Sequence, residues 1–185
     1  MTRTRLAVVA VVVAGGLLAG LLLTRGGHSN PAVAHVGGET ITRDQLDATV
    51  DHFRKAAESE GMPFPDEKSA RFRTVRNRLL GLLVYRTELV QAARRLGLHA
   101  TNIQVLRRMN PGGEGEEGGS TDRFQYDTVK TQLLYERIYA TVTRGVNAPT
   151  IPERVARKNA AMKRYLDKLE RETKVRYEPG YAPGP

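Results

Sequence analysis

Residues Ala70 to Leu98 read ARFRTVRNRLLGLLVYRTELVQAARRLGL. Phe72, Val75, Leu79, Leu82, Leu83, Leu89, Val90, Ala93 and Leu96 recur at threes and fours, the spacing of one helical face. The spacing predicts one long α-helix. Its middle, Leu79 to Val84, is apolar on nearly every side, and a helix of that kind must be covered by other elements. Gly97 follows the last periodic residue, where a glycine in a left-handed conformation ends a helix. The chain is therefore organised around a central helix with partners on its flanks.

At 185 residues there is room for one ordinary domain and some further length. The absence of cysteine removes disulfides, thiolate metal sites and a lipid-modified N-terminal cysteine together. Tryptophan is absent and aromatics make up 6%, while leucine, alanine and arginine are frequent, a mixture that favours helices over sheets. The formal net charge is +9, but the basic residues are spread through every helical stretch and form no single stripe, so nucleic-acid binding is not expected. A basic body held near a membrane is drawn to anionic lipid heads or wall polymers, the alternative being a solvated basic surface.

The first five residues are a basic tail, MTRTR, and Leu6 to Leu23 are uncharged. That run approaches the roughly 20 residues that cross a hydrocarbon core as a helix. Arg3 and Arg5 ahead of it orient the N-terminus to the cytoplasm. A single-pass signal anchor in the cell membrane, with the body extracytoplasmic, is the expectation. The alternative is a cleaved signal peptide and a secreted body, with Ala32-Val33-Ala34 as the small-x-small site.

Residues 24–32 read as a Gly-rich flexible tether. Val33, Val36 and Ile41 flank Gly37-Gly38, which predicts a small β-hairpin. Thr42 and Gln45 form the T-x-x-Q capping box of a helix with Leu46, Val50, Phe53 and Ala57 on one face. It ends near Gly61, before GMPFP, and Asp66 or Ser69 caps the central helix. Thr101 caps a short helix through Ile103, Val105, Leu106 and Met109. Residues 110–120 are Gly-rich and acidic, a mobile loop whose Glu114, Glu116 and Glu117 lack the spacing of a calcium loop. A second long helix runs from about Thr121 to Arg144, with Tyr126, Val129, Leu133, Ile138 and Val142 inward and Tyr135 and Tyr139 one turn apart. A third starts at Thr150-Pro152, with Val155, Met162, Leu166 and Leu169 on its apolar side. Lys174 to Tyr177 alternates like an edge strand, and 179–185 is an irregular tail.

The stretches VGGETITRDQL at Val36 to Leu46 and ELVQAARRLGLHATNIQV at Glu88 to Val105, in this order and spacing, resemble the N-terminal domain of the SurA and PrsA-type extracytoplasmic chaperones. YLDKLERETKVRYEPGY near the C-terminus is a weaker likeness to small members. The family's turn carries Asn-Gly where this chain has Gly37-Gly38. Many members insert a parvulin-type prolyl isomerase domain, for which the joint from Thr143 to Pro152 has no room, so this chain is similar to a small member without it. The resemblance implies a mainly α fold, a helical domain over residues 33–178 with a small β-hairpin, which the apolar run at 6–23 precedes with a single transmembrane helix.

The sequence offers no catalytic constellation, and neither enzyme activity nor a metal or cofactor is expected. His28, His35, His52 and His99 show no i, i+4 pair, and phosphate loops and nucleophile elbows are absent. Arg86 lies in the stripe of the central helix, with surface exposure or pairing to Glu88 or Glu136 as its readings. The resemblance implies a non-enzymatic module that shields unfolded or exported polypeptides in a cradle between helices. Met62, Phe64, Met109, Tyr135 and Tyr139 are the candidate contacts, since methionine and aromatic side chains give adaptable apolar surface. The alternative is an envelope scaffold that binds one specific partner protein; prolyl isomerase activity is the weakest of the three readings.

Overall fold

The computed structural model describes residues 30–111 and 122–182. β1 (Ala32–Val36) and β2 (Glu39–Thr42) form an antiparallel hairpin. Gly37 and Gly38 have φ angles of 54° and 94°, the pair of positive values that a primed two-residue turn needs. α1 (Arg43–Ser59) starts at the expected capping box: the Thr42 hydroxyl accepts from the Gln45 amide, and the Gln45 side chain accepts from Thr42 N–H at 2.8 Å.

α2 (Ala70–Arg95) is the central helix. Ser69 caps it by accepting from Phe72 N–H at 3.0 Å. Gly97 ends it: Leu98 N–H donates to the Ala93 carbonyl at 2.8 Å and Gly97 N–H to that of Arg94 at 3.0 Å, the Schellman pattern. α3 (Asn102–Met109), α4 (Arg123–Val142), α5 (Ile151–Glu172) and β3 (Val175–Tyr177) follow. Asp122, one residue inside the expected start, caps α4, while Thr150 caps α5.

The small hairpin of the expected fold is part of a three-stranded sheet in the order β2-β1-β3. β3 returns from the far end of the chain and pairs antiparallel with β1, placing Ala34 opposite Tyr177 and Val36 opposite Val175. The register slips between Ala32 and Ala34, and the bulge lets the adjacent Val33 and Ala34 both be buried. After β3 the chain is held on α2 and α1. Arg76 lies 4.4 Å over the Tyr181 ring, Asn77 donates to the Ala182 carbonyl, and Arg43 donates to the Tyr181 hydroxyl.

The expected fold class needs a larger correction at the membrane helix. No helix among the described residues is long and apolar enough to cross a membrane, so over those residues the fold is mainly helical with a small sheet, and the expected single transmembrane helix is not supported. The apolar middle of α2 is too short, bounded by Arg78 and Arg86, and the other helices carry charges along most of their turns. The expected anchor at 6–23, the tether up to Ser29 and the acidic stretch 112–121 lie outside the described residues.

α2 carries two cores. Its N-terminal half places Leu79, Leu80 and Val84 against Val33, Val36 and Ile41 of the hairpin and Leu46 and Val50 of α1. Its C-terminal half packs Leu89, Ala92 and Ala93 against Leu134 and Ile138 of α4 and Met162 and Leu169 of α5. Each fully buried aliphatic side chain contributes about 1.5–3 kcal/mol, so the covering that the apolar helix demanded is met from two sides. Leu96 and Val155, expected on apolar faces, are exposed, and so is Ile103.

Candidate functional site

Between these two cores one face of α2 is left open. Gly81, Val84, Tyr85 and Glu88 are spaced by three, four and seven residues and so form one stripe. With Leu166, Leu169 and Glu170 of α5 and Val175 and Tyr177 of β3 they line a groove of about 530 Å³. A volume of that size lies in the range of ligand-binding clefts. Gly81 helps make it. A Cβ built there meets no atom within 4 Å, so the missing side chain is groove volume. Glycine inside a helix costs about 0.5–1 kcal/mol relative to alanine, and α2 carries that cost at this position.

The groove is acidic within a basic chain. Its charged lining residues are Glu88, Asp167 and Glu170, and none is basic. Lys163 neutralises Asp167 at 2.7 Å. Glu88 is 7% exposed and has no hydrogen-bond or ion-pair partner among the described residues. Burial, and then the neighbouring Glu170, hold its carboxyl above the usual carboxylate range. Burial raises the Tyr177 hydroxyl, with Glu88 and Glu170 adding to it. Tyr85 is raised by burial, then by Tyr135 and Glu88. In the wall, Thr173 Oγ1 is buried without a hydrogen-bond partner.

The five residues expected to bind a polypeptide are not on one surface. Met62 follows the α1 terminus and is 52% exposed. Phe64 packs on the first core, edge-on to Phe72 at 6.4 Å, under the Arg54 guanidinium. Met109 lines a second hollow of about 370 Å³ beside His52 and Phe124. Tyr135 and Tyr139 stack at 6.5 Å on α4, and Tyr139 donates to Asn159 Oδ1 at 3.0 Å. None of the five is among the residues that line the groove; Tyr135 acts on it only electrostatically, through Tyr85.

The sequence reading missed Gly81, Tyr85, Glu88 and Tyr177. One signal was available: a small residue, an aromatic and an acid at helical spacing, starting in the apolar middle of α2 and running past its end. Arg86 is neither a surface residue nor the partner of Glu88 or Glu136. It is half-buried, 4.3 Å over the Phe124 ring, and donates to Thr128 Oγ1 at 2.6 Å. Among the described residues no group of three His, Asp or Glu side chains is placed to hold a metal ion.

The sequence profile of the SurA-like N-terminal domain matches residues 2–133 of this chain. The α2 wall of the groove lies inside that match, and the α5 and β3 walls lie beyond it. No curated protein matches the chain.

Proposed function

The chain belongs to the SurA-like N-terminal domain family, and from that premise we propose that it is a chaperone-like module that holds unfolded, exported polypeptides in the groove between α2, α5 and β3. The observation that carries this reading is the open groove itself. Tyr85 and Tyr177 offer apolar area with polar tips and Leu166 adds purely apolar area, which suits varied side chains better than a closed pocket does. β3 is an edge strand beside it, and extended chains pair with such edges.

The action is binding without catalysis. The matched domain is the part of the family that carries no isomerase, and α4 and α5 are joined by residues 143–150 alone, with no inserted domain. The test is suppression of aggregation of a chemically unfolded client by the full chain, paired with a crosslinking pull-down. Many crosslinked clients support the chaperone reading. One partner in stoichiometric yield supports a scaffold that binds a single protein, and neither suppression nor peptide binding removes the proposal.

A further inference from the structure

We propose that the floor of this groove, at Glu88, is a subsite for a cationic side chain, lysine or arginine, of the bound polypeptide. The inference rests on the polypeptide-binding reading and names the part of a client that the groove selects. Glu88 is buried to 7% exposure, lines the cavity and has no partner among the described residues. A buried carboxylate without a counter-charge is costly to keep, and an incoming cation supplies what the fold withholds.

The shape of the site argues for an organic cation over a metal ion. A hard cation such as calcium needs six to eight oxygen ligands converging at about 2.3–2.6 Å. Here no three carboxylates are grouped for that purpose among the described residues. A cavity of about 530 Å³ is far larger than an ion and takes an alkyl stem with a charged head. Leu166 and Val175 provide apolar wall for the stem. Tyr85 and Tyr177 provide ring faces for the head, and Glu88 with Glu170 provides the negative charge. The contrast with the +9 of the whole chain makes the position specific, because most other surface charge repels such a group.

The test uses the full chain and a pair of fluorescein-labelled unstructured peptides, identical but for one central arginine in the first and glutamine in the second. The arginine peptide is expected to bind about tenfold more tightly at low salt, as a charge-assisted contact to a buried carboxylate implies. Glu88→Gln is expected to abolish that preference, while the exposed Glu153→Gln on α5 leaves the binding of both peptides unchanged. Equal binding of the two peptides to the wild type, or a preference that survives Glu88→Gln, overturns the subsite while the binding function stands. If neither peptide binds, the functional reading fails, and agmatine decides the subsite alone. A rise in the wild-type melting temperature with millimolar agmatine that Glu88→Gln lacks supports it. No rise, or an equal rise in both proteins, overturns it, as does a Glu88-dependent rise with calcium in place of agmatine.

Discussion

Gly37→Ala is expected to destabilise the protein in a way that Gln91 controls. Gly37 has φ 54°, and an L residue in that region costs about 1–2 kcal/mol. A Cβ there also runs into the Gln91 carboxamide oxygen. Gln91 must swing away and give up the bond its Nε2 donates to the Val36 carbonyl at 2.7 Å, a loss of about 1 kcal/mol. The sum is about 2–3 kcal/mol, and at about 2–4 °C per kcal/mol for a chain of this size the melting temperature should fall by about 4–12 °C. The assay is a double-mutant cycle by urea denaturation. Gln91→Ala already lacks the bond, so Gly37→Ala combined with Gln91→Ala should cost about 1 kcal/mol less than the two single changes added together. Gly38 has φ 94° with nothing near its Cβ position. Gly38→Ala should therefore add to Gln91→Ala within about 0.3–0.5 kcal/mol. Additivity at Gly37, or equal coupling at both glycines, would refute the reasoning.

Leu80→Ala removes a side chain with no exposure from the first core and should cost about 2–5 kcal/mol in urea denaturation, whereas Ile103→Ala, at 62% exposure, should change stability by less than about 0.5 kcal/mol. Glu88→Gln should melt above the wild type at pH 7, by an amount on the order of 1 kcal/mol for a buried charge without a partner. Because the folded carboxyl is raised above its unfolded value, Glu88 is tolerated best below the unfolded pKa and opposes folding as pH rises through the folded one. The gap between variant and wild type should therefore close as melts are repeated towards pH 4, and a gap independent of pH would contradict the assignment.

Local chemistry made much of the fold legible. The capping box at Thr42 with Gln45, the caps at Ser69 and Thr101 and the helix-ending glycines 61 and 97 act within a turn of themselves, so sequence alone places them. The pairing of β3 with β1 was not legible, because three alternating residues carry no record of a strand about 140 positions earlier in the chain. On α4 the inward position is Leu134 and not the expected Leu133. Leu133, Leu134 and Tyr135 are consecutive and apolar, so periodicity leaves the face undecided there. Arg86 was misplaced because its partner, Phe124, sits on another helix. The groove was hidden for a different reason. It consists of space that Gly81 leaves open and a carboxylate whose partner is missing, and residue patterns report what side chains fill, not what they leave empty.

The groove is also where the account is most directly exposed to test. Gly81→Leu places a side chain where a Cβ meets no other atom within 4 Å, inside a helix that gains about 0.5–1 kcal/mol when glycine is replaced. The decisive measurement is fluorescence anisotropy of a labelled, chemically unfolded polypeptide titrated with the full-length wild type and with Gly81→Leu. The account predicts that the variant melts no lower than the wild type and binds at least about tenfold more weakly, a loss of about 1.4 kcal/mol or more. A variant of undiminished stability that binds the client as tightly as the wild type would contradict the claim that the groove is the binding site.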